Sequence, residues 1–236
     1  MAEVKNSSAK KAFKASPKIN VRKEKKVNKE IYWILIVMII IIALIAMIPY
    51  ISKWFNTFKY DGLTFTKERF GQITVYHYYY YFKDRTNQIY QINLFLRGDP
   101  RQNNVSAQGD IIYPPKNSTV YLTYNATGLI GCSNILRDSA TLSSFLSNNQ
   151  YRVRTGVLDS QEAIANNLTY VTCNNRPDNM VIKIFRGNTT QIIKDNDQCY
   201  NLEIADCQGI LDGVEKFEVQ SIVDAKKASV ISTFSQ

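Results

Sequence analysis

Four cysteines, Cys132, Cys173, Cys199 and Cys207, are the residues of this sequence whose type points most directly to chemistry. They contain no C-x-x-C pair, and the single histidine, His77, lies in a tyrosine-rich run. A four-thiolate zinc site usually needs closer pairs, so no metal-ligand set is assigned. An even number of cysteines downstream of an apolar stretch fits two disulfides formed in an oxidising compartment. Reduced buried thiols are the other reading. Four cysteines allow three connectivities. If residues 200–205 form an extended strand, Cys199 and Cys207 lie more than about 20 Å apart, at about 3.3 Å per residue. A bridge needs Cα atoms roughly 4.4–6.8 Å apart. That argues for Cys173 with Cys199 and Cys132 with Cys207. The pattern suggested by sequence proximity, Cys132 with Cys173 and Cys199 with Cys207, stays open.

The catalytic inventory is short. There is no G-x-S-x-G and no G-x-x-x-x-G-K-[ST]. A nucleophile needs a base beside it, and His77 is the one imidazole to offer. In an aromatic strand, however, a lone histidine reads as a packed residue. Asp195 and Asp197 could pair as carboxylates but read as a polar turn before Cys199. A calcium loop would need ligands at alternate positions and a closing Glu. No catalytic residue, metal or cofactor is expected.

Tyr76, Tyr78, Tyr79, Tyr80 and Tyr81 carry a different possibility. In a strand they fall on both faces, so one set packs and the other stays at the surface. Tyrosine is favoured at interfaces because it buries area and keeps a polar handle. These five are the candidate interaction surface. Five acceptor sequons follow, at Asn104, Asn117, Asn125, Asn167 and Asn188. They make these asparagines glycosylation candidates if the segment lies outside the membrane. Asn6 lies on the wrong side and is expected to stay unmodified.

The elements that must position these residues begin with residues 31–49, IYWILIVMIIIIALIAMIP, which carry no charge. As a helix this stretch spans roughly 28 Å, about the hydrocarbon thickness of a bilayer. Tyr32 and Trp33 mark one interface, and Tyr50 and Trp54 the other. Residues 1–30 hold nine Lys and one Arg against three Glu, a charge of +7. That excess places the N-terminus in the cytoplasm and the C-terminal domain outside. No small-x-small cleavage site follows cleanly, so residues 31–51 read as an uncleaved signal anchor. The tail, 1–30, reads as disordered. Of the net +9, only +2 remains for the rest of the chain, so nucleic acid is not an expected partner.

Beyond the anchor, residues 60–100 read as an antiparallel β segment. Strands are expected at 63–66 and 73–82. A third, at 90–96, places Ile92, Leu94 and Leu96 on one face. Residues 100–115 read as loop. Residues 116–236 read as an α/β domain packed with that segment. Strands fall at 120–124, 151–157, 168–173, 180–185, 191–193 and 200–205. Gly187-Asn188 reads as a tight hairpin. One helix carries Ile135, Leu136, Leu142, Phe145 and Leu146 on a face, and Asn148-Asn149 end it. Asp159 with Glu162 suggests a capping box, and Ile210 to Ile222 a closing helix. The expected fold is one transmembrane helix plus an α/β or α+β extracytoplasmic domain on a mixed sheet.

The runs YDGLTFTKERFGQITVYHYYYYF, LFLRGDPRQNNV, LTYVTCNNRPDNMVIKI and CYNLEIADC cover most of the outer domain. In them the chain resembles a family of uncharacterised single-pass, membrane-anchored extracytoplasmic proteins of small-genome (DPANN-type) archaea. That resemblance implies an archaeal cell-surface setting. It supplies no activity and no functional residue.

Two function classes follow. The favoured one is a membrane-anchored cell-surface binding or structural module, with a surface protein or glycan as partner. The other is an anchored envelope enzyme, a hydrolase or a thiol oxidoreductase. His77 clustered with carboxylates in a pocket would favour the enzyme. A flat exposed tyrosine face would favour the binder.

Overall fold

A computed structural model describes residues 21–83, 87–125 and 127–234. The first part of the tail and Asn6 lie outside the described residues. So does most of the polar turn expected after residue 82. Residues 1–52 and 53–236 form two compact units.

Helix α1 runs from Val21 to Asn56. Within it, Lys29–Asn56 is long and apolar enough to cross a bilayer, and its most apolar window is not buried. Residues 21–30, expected to be disordered, belong to α1 instead. Arg22, Lys23, Glu24, Lys25 and Lys26 are good helix formers, and the apolar segment behind them supplies a nucleus to extend.

The second unit opens with a four-stranded antiparallel meander: β1 (Thr57–Tyr60), β2 (Leu63–Phe70), β3 (Ile73–Lys83) and β4 (Ile89–Leu96). Period two places Leu63, Phe65, Ile92, Leu94 and Leu96 on one buried face. After a wrapping segment that contributes β5 (Ser106–Gln108), the chain builds a six-stranded mixed sheet. Its other members are β6 (Thr119–Tyr124), β7 (Arg152–Val157), β8 (Met180–Arg186), β9 (Gln191–Asn196) and β10 (Cys199–Ile204), in the order β5-β9-β10-β8-β6-β7. Strands β7, β6, β8 and β10 are parallel, and β9 is antiparallel to β10.

Helices α2 (Ile135–Asn148) and α4 (Gly209–Phe234) lie on one face of this sheet, and α3 (Ser160–Ala165) lies beside β7. The core joins Val120, Leu122, Met180, Ile182, Tyr200 and Leu202 to Leu142, Leu146, Val214 and Phe217. The meander's Leu63, Phe65, Leu94 and Leu96 belong to the same core. Helix α4 is therefore sandwiched between two sheets, and nearly every residue from Gly213 to Asp224 is buried. Its carboxylates step round it. Glu215 accepts hydrogen bonds from the backbone N–H of Arg97 and Gly98, whereas Asp224 accepts one from Ile111. Nine residues turn a helix by about half a circle beyond whole turns, so the two face opposite sides.

Several expectations change. The stretch 187–190 is not a tight hairpin, because β10 inserts between β8 and β9 and pairs with both. None of its residues has the positive φ that a type I′ turn requires. Burial decides the order: β10 carries Tyr200, Leu202 and Ile204 at or near zero exposure and takes the interior place. Residues 168–173 are not a strand. They pair with β7 through a single bridge, Val157–Tyr170, flanked by backbone hydrogen bonds of Val157 with Thr169 and Val171, after which Asn175 folds the chain back by bonding Tyr170 O and Thr172 N. Leu136 points away from the core and is 82% exposed. Strands β1 and β5 were not anticipated; each is short and carries few apolar residues. Asp159 does cap α3, accepting from Gln161 N and Glu162 N.

Candidate binding face

Strand β3 partitions the tyrosines by parity. Tyr76, Tyr78 and Tyr80 point inward and pack against the shared core. Phe58 stacks on Phe65 at 5.8 Å, Phe65 meets Tyr78 at 5.5 Å, and Tyr78 stacks on Tyr80 at 5.9 Å. Tyr79 and Tyr81 lie on the opposite face, 53% and 61% exposed. The interaction candidates thus divide into three inner residues and two outer ones.

The outer face carries more rings than the tyrosine run alone. The β2–β3 and β3–β4 registers pair Phe70 with Ile73 and His77 with Phe95. Phe70 meets Phe95 edge-on at 6.5 Å, and His77 stacks on Phe95 at 4.4 Å. His77 lies 6.0 Å from Tyr79, and Tyr79 lies 5.9 Å from Tyr81. Five rings therefore form a continuous track across three strands of an open sheet. Isolated apolar residues at a surface are ordinary, whereas a contiguous exposed patch marks an interaction site. Neutral amides flank the track: Gln91 and Asn93 sit on the outer positions of β4 opposite Tyr81 and Tyr79. Gln91 donates to Asn93 Oδ1 at 3.0 Å. Phe70 and Phe95 were missed from sequence. Phe95 was visible in principle, as an apolar residue at a solvent-phase position of an alternating strand.

His77 is fixed on this face. Its Nδ1 lies 2.8 Å from Glu68 Oε1, and its Nε2 lies 3.1 Å from Asn93 Oδ1. The ring stacks on Phe95 on an open sheet, and Glu68 is the carboxylate bonded to it among the described residues. A histidine and a carboxylate are thus together without an enclosing cleft, a poor arrangement for holding a reacting group away from water.

The cysteines form two disulfides, Cys132–Cys207 and Cys173–Cys199, with Cα separations of 5.1 and 5.8 Å. Cys199 opens the extended strand β10 and Cys207 lies three residues beyond its end, so the two are held apart as expected. The first bridge ties the segment entering α2 to the segment entering α4. The second ties the strap 168–179 to the start of β10. Asp195 lies beside the second bridge, within 4.8 Å of both sulfurs. With those sulfurs bonded to each other, there is no thiolate pair for a metal. Asp195 instead pairs with Lys183 at 3.1 Å. Of the sequon asparagines, Asn104, Asn117, Asn167 and Asn188 are exposed. Asn125 is half-buried, and its side-chain oxygen accepts from Thr127 Oγ1 and Gly128 N.

Two recesses complete the surface. An apolar groove of about 470 Å³ lies between α2 and the ends of β6 and β7, lined by Tyr124, Ile135, Leu136 and Val157 among others. A mixed cleft of about 490 Å³ opens where the inner face of β3 meets α2 and α4. Near it, Glu218 is fully buried with neither carboxyl oxygen hydrogen-bonded. Burial, reinforced by the Glu215 carboxyl, holds the Glu218 proton on well above the usual carboxyl range. Burial likewise raises Glu215, to a pKa of about 7. Sequence reading found neither residue, because the burial of α4 on both sides is a property of the two-sheet packing.

No protein-family model, curated protein or solved structure matches this chain.

Proposed function

We propose that this chain is a membrane-anchored cell-surface binding module whose ligand rests on the outer face of the meander. The observation that carries the reading is the track of five rings, Phe70–Phe95–His77–Tyr79–Tyr81, on the outer face of a sheet whose other face builds the core: Phe70, Phe95, Tyr79 and Tyr81 are exposed, and the half-buried His77 joins them. The ligand class that fits best is a glycan of the cell envelope. A sugar ring presents an apolar face of C–H groups to an aromatic ring, and its rim hydroxyls suit flanking amides such as those of Gln91 and Asn93. A single-stranded nucleic acid also stacks on aromatic platforms, but it needs a basic groove. Beyond the tail the chain carries only +2.

The anchor is α1, spanning the membrane as a single-pass signal anchor. The tail is cytoplasmic by its charge, and two disulfides accord with an extracytoplasmic domain. The archaeal surface setting rests on the family resemblance. The enzyme reading draws no support from His77, which sits on an open face. Photo-crosslinking on intact cells tests the proposal. A benzophenone side chain at position 79 is expected to yield a carbohydrate-staining adduct, and one at position 78 none. Equal labelling from both positions, or an adduct without carbohydrate at position 79, would count against it.

A further inference from the structure

Strand β7 ends the mixed sheet, and only part of its outer edge is covered. In a parallel ladder every second residue turns its backbone groups to the neighbouring strand. Arg152 N donates to Ser118 O and Leu158 N to Tyr124 O, so the even-numbered residues of β7 face β6 and the odd-numbered ones face outward. Val157 is taken up by the strap, through Thr169 and Val171. Among the described residues, nothing pairs with the outward N–H and C=O groups of Val153 and Thr155. An unpaired edge of this kind is a template for an added strand.

The two sides of that edge differ. Val153, Thr155 and Val157 are in register with Val120, Leu122 and Tyr124, which places them on the helix side of the sheet. There the apolar groove of about 470 Å³ lies between β7 and α2, within the size range of ligand pockets. Ile135, Leu136 and Ala140 stand on its α2 wall, and Thr155 and Val157 on its β7 wall. Leu136, Ala140 and Thr155 are exposed. On the other side stand Arg152 and Arg154, both exposed and, among the described residues, in no side-chain ion pair or hydrogen bond. Arg176 of the strap lies over the ring of Tyr121, the residue in register with Arg154, and adds a third cation to that side.

A strand laid along β7 would place alternate side chains on these two sides. One set enters the apolar groove and the other meets the arginines. A second copy of this chain is the wrong occupant. Pairing β7 with β7 about a twofold axis brings arginine against arginine on one face, and like charges opposite one another are destabilising. Aspartate or glutamate alternating with aliphatic residues satisfies both sides.

We propose that the open edge of β7 binds an extended segment of a partner protein in which acidic and aliphatic residues alternate. Backbone hydrogen bonds to Val153 and Thr155 hold it, the aliphatic side chains fill the groove against α2, and the acidic ones pair with Arg152 and Arg154. In such strand addition the edge supplies affinity, and the pockets for alternate side chains supply specificity. The inference is independent of the glycan reading, because it uses none of the residues of the ring track.

The test uses the full chain in nanodiscs of neutral lipid and two fluorescein-labelled hexapeptides, one alternating glutamate with valine and the other lysine with valine. Fluorescence anisotropy is expected to show saturable binding of the glutamate peptide. Binding of the lysine peptide is expected to be at least about tenfold weaker, as two cross-strand pairs turn from attraction to repulsion. Thr155→Pro removes an outward N–H but no bond to β6, and is expected to abolish binding. Ala140→Phe fills the groove from an exposed position of α2 and is expected to weaken binding severalfold, which keeps the test open if the proline variant folds poorly. Absence of saturable binding of the glutamate peptide would overturn the proposal. So would equal or tighter binding of the lysine peptide, or unchanged affinity in a folded Thr155→Pro or Ala140→Phe variant. Self-association of the parent chain that Thr155→Pro abolishes would assign the edge to a second copy, and would overturn it as well.

Discussion

Glu218 occupies an interior position with both carboxyl oxygens unpaired, one turn along α4 from Glu215. Burial raises the proton affinity of both groups, to a pKa of about 7 for Glu215 and well above the usual range for Glu218. The folded state therefore binds these protons more tightly than the unfolded chain. The stability this contributes is complete below the unfolded value, 4.5, and drains away as pH rises toward and beyond 7. Thermal melts are expected to show a lower Tm near pH 8 than near pH 5. Glu218→Gln cannot ionise and is expected to flatten that slope, matching the parent near pH 5 and exceeding it near pH 8. Parallel profiles for the two proteins would mean that Glu218 keeps no proton in the fold. The cysteines give a second prediction at this scale. The bridges close separations of 75 and 26 residues. Chain entropy then assigns about 4.5 kcal/mol to Cys132–Cys207 and about 3.5 kcal/mol to Cys173–Cys199. Paired serine substitutions compared by urea unfolding are expected to rank them in that order.

Gly156 is the element-scale counterpart. It lets the strap 168–179 lie directly on β7: a Cβ there would meet Val171 Cγ2 at 2.6 Å and the backbone oxygen of Thr169 at 2.9 Å. Gly156→Ala is expected to cost about 1–3 kcal/mol by denaturant titration, with backbone rather than a flexible tip in the way. A neutral result would show that the strap floats free of the sheet. Local patterns made several elements legible from sequence. Alternation in Ile92, Leu94 and Leu96 marked β4, the asparagine pair marked the end of α2, and Asp159 marked the start of α3. What sequence withheld depends on distant partners. The insertion of β10 between β8 and β9 is decided by which strand buries more, and Gly187-Asn188 offers a hairpin signal that the topology overrides. The same holds for the site. The run of tyrosines announced a surface, but the track is completed by Phe70 and Phe95 from neighbouring strands.

At the scale of the whole molecule, the anchor and the binding face make separate claims. Protease added to intact cells is expected to remove the C-terminal domain and spare an N-terminal tag; digestion of that tag would reverse the orientation. Glycopeptide mass spectrometry is expected to find modification at the exposed Asn104, Asn117, Asn167 and Asn188. Lower occupancy is expected at Asn125, whose side chain is engaged in its own turn. Equal occupancy at all five would show that the turn opens before the modifying enzyme acts. The ring track is the central claim. Tyr79 and Tyr81 project from the face opposite the core, so replacing both with alanine leaves the interior packing intact. The decisive measurement is the affinity of the full chain in nanodiscs for isolated envelope polysaccharide, with and without that double substitution. Stacking contacts of this kind are worth about 0.5–1.5 kcal/mol each beyond their area. The double variant is therefore expected to keep its Tm and to lose at least about fivefold in affinity. A folded double variant that binds the polysaccharide as tightly as the parent would contradict it.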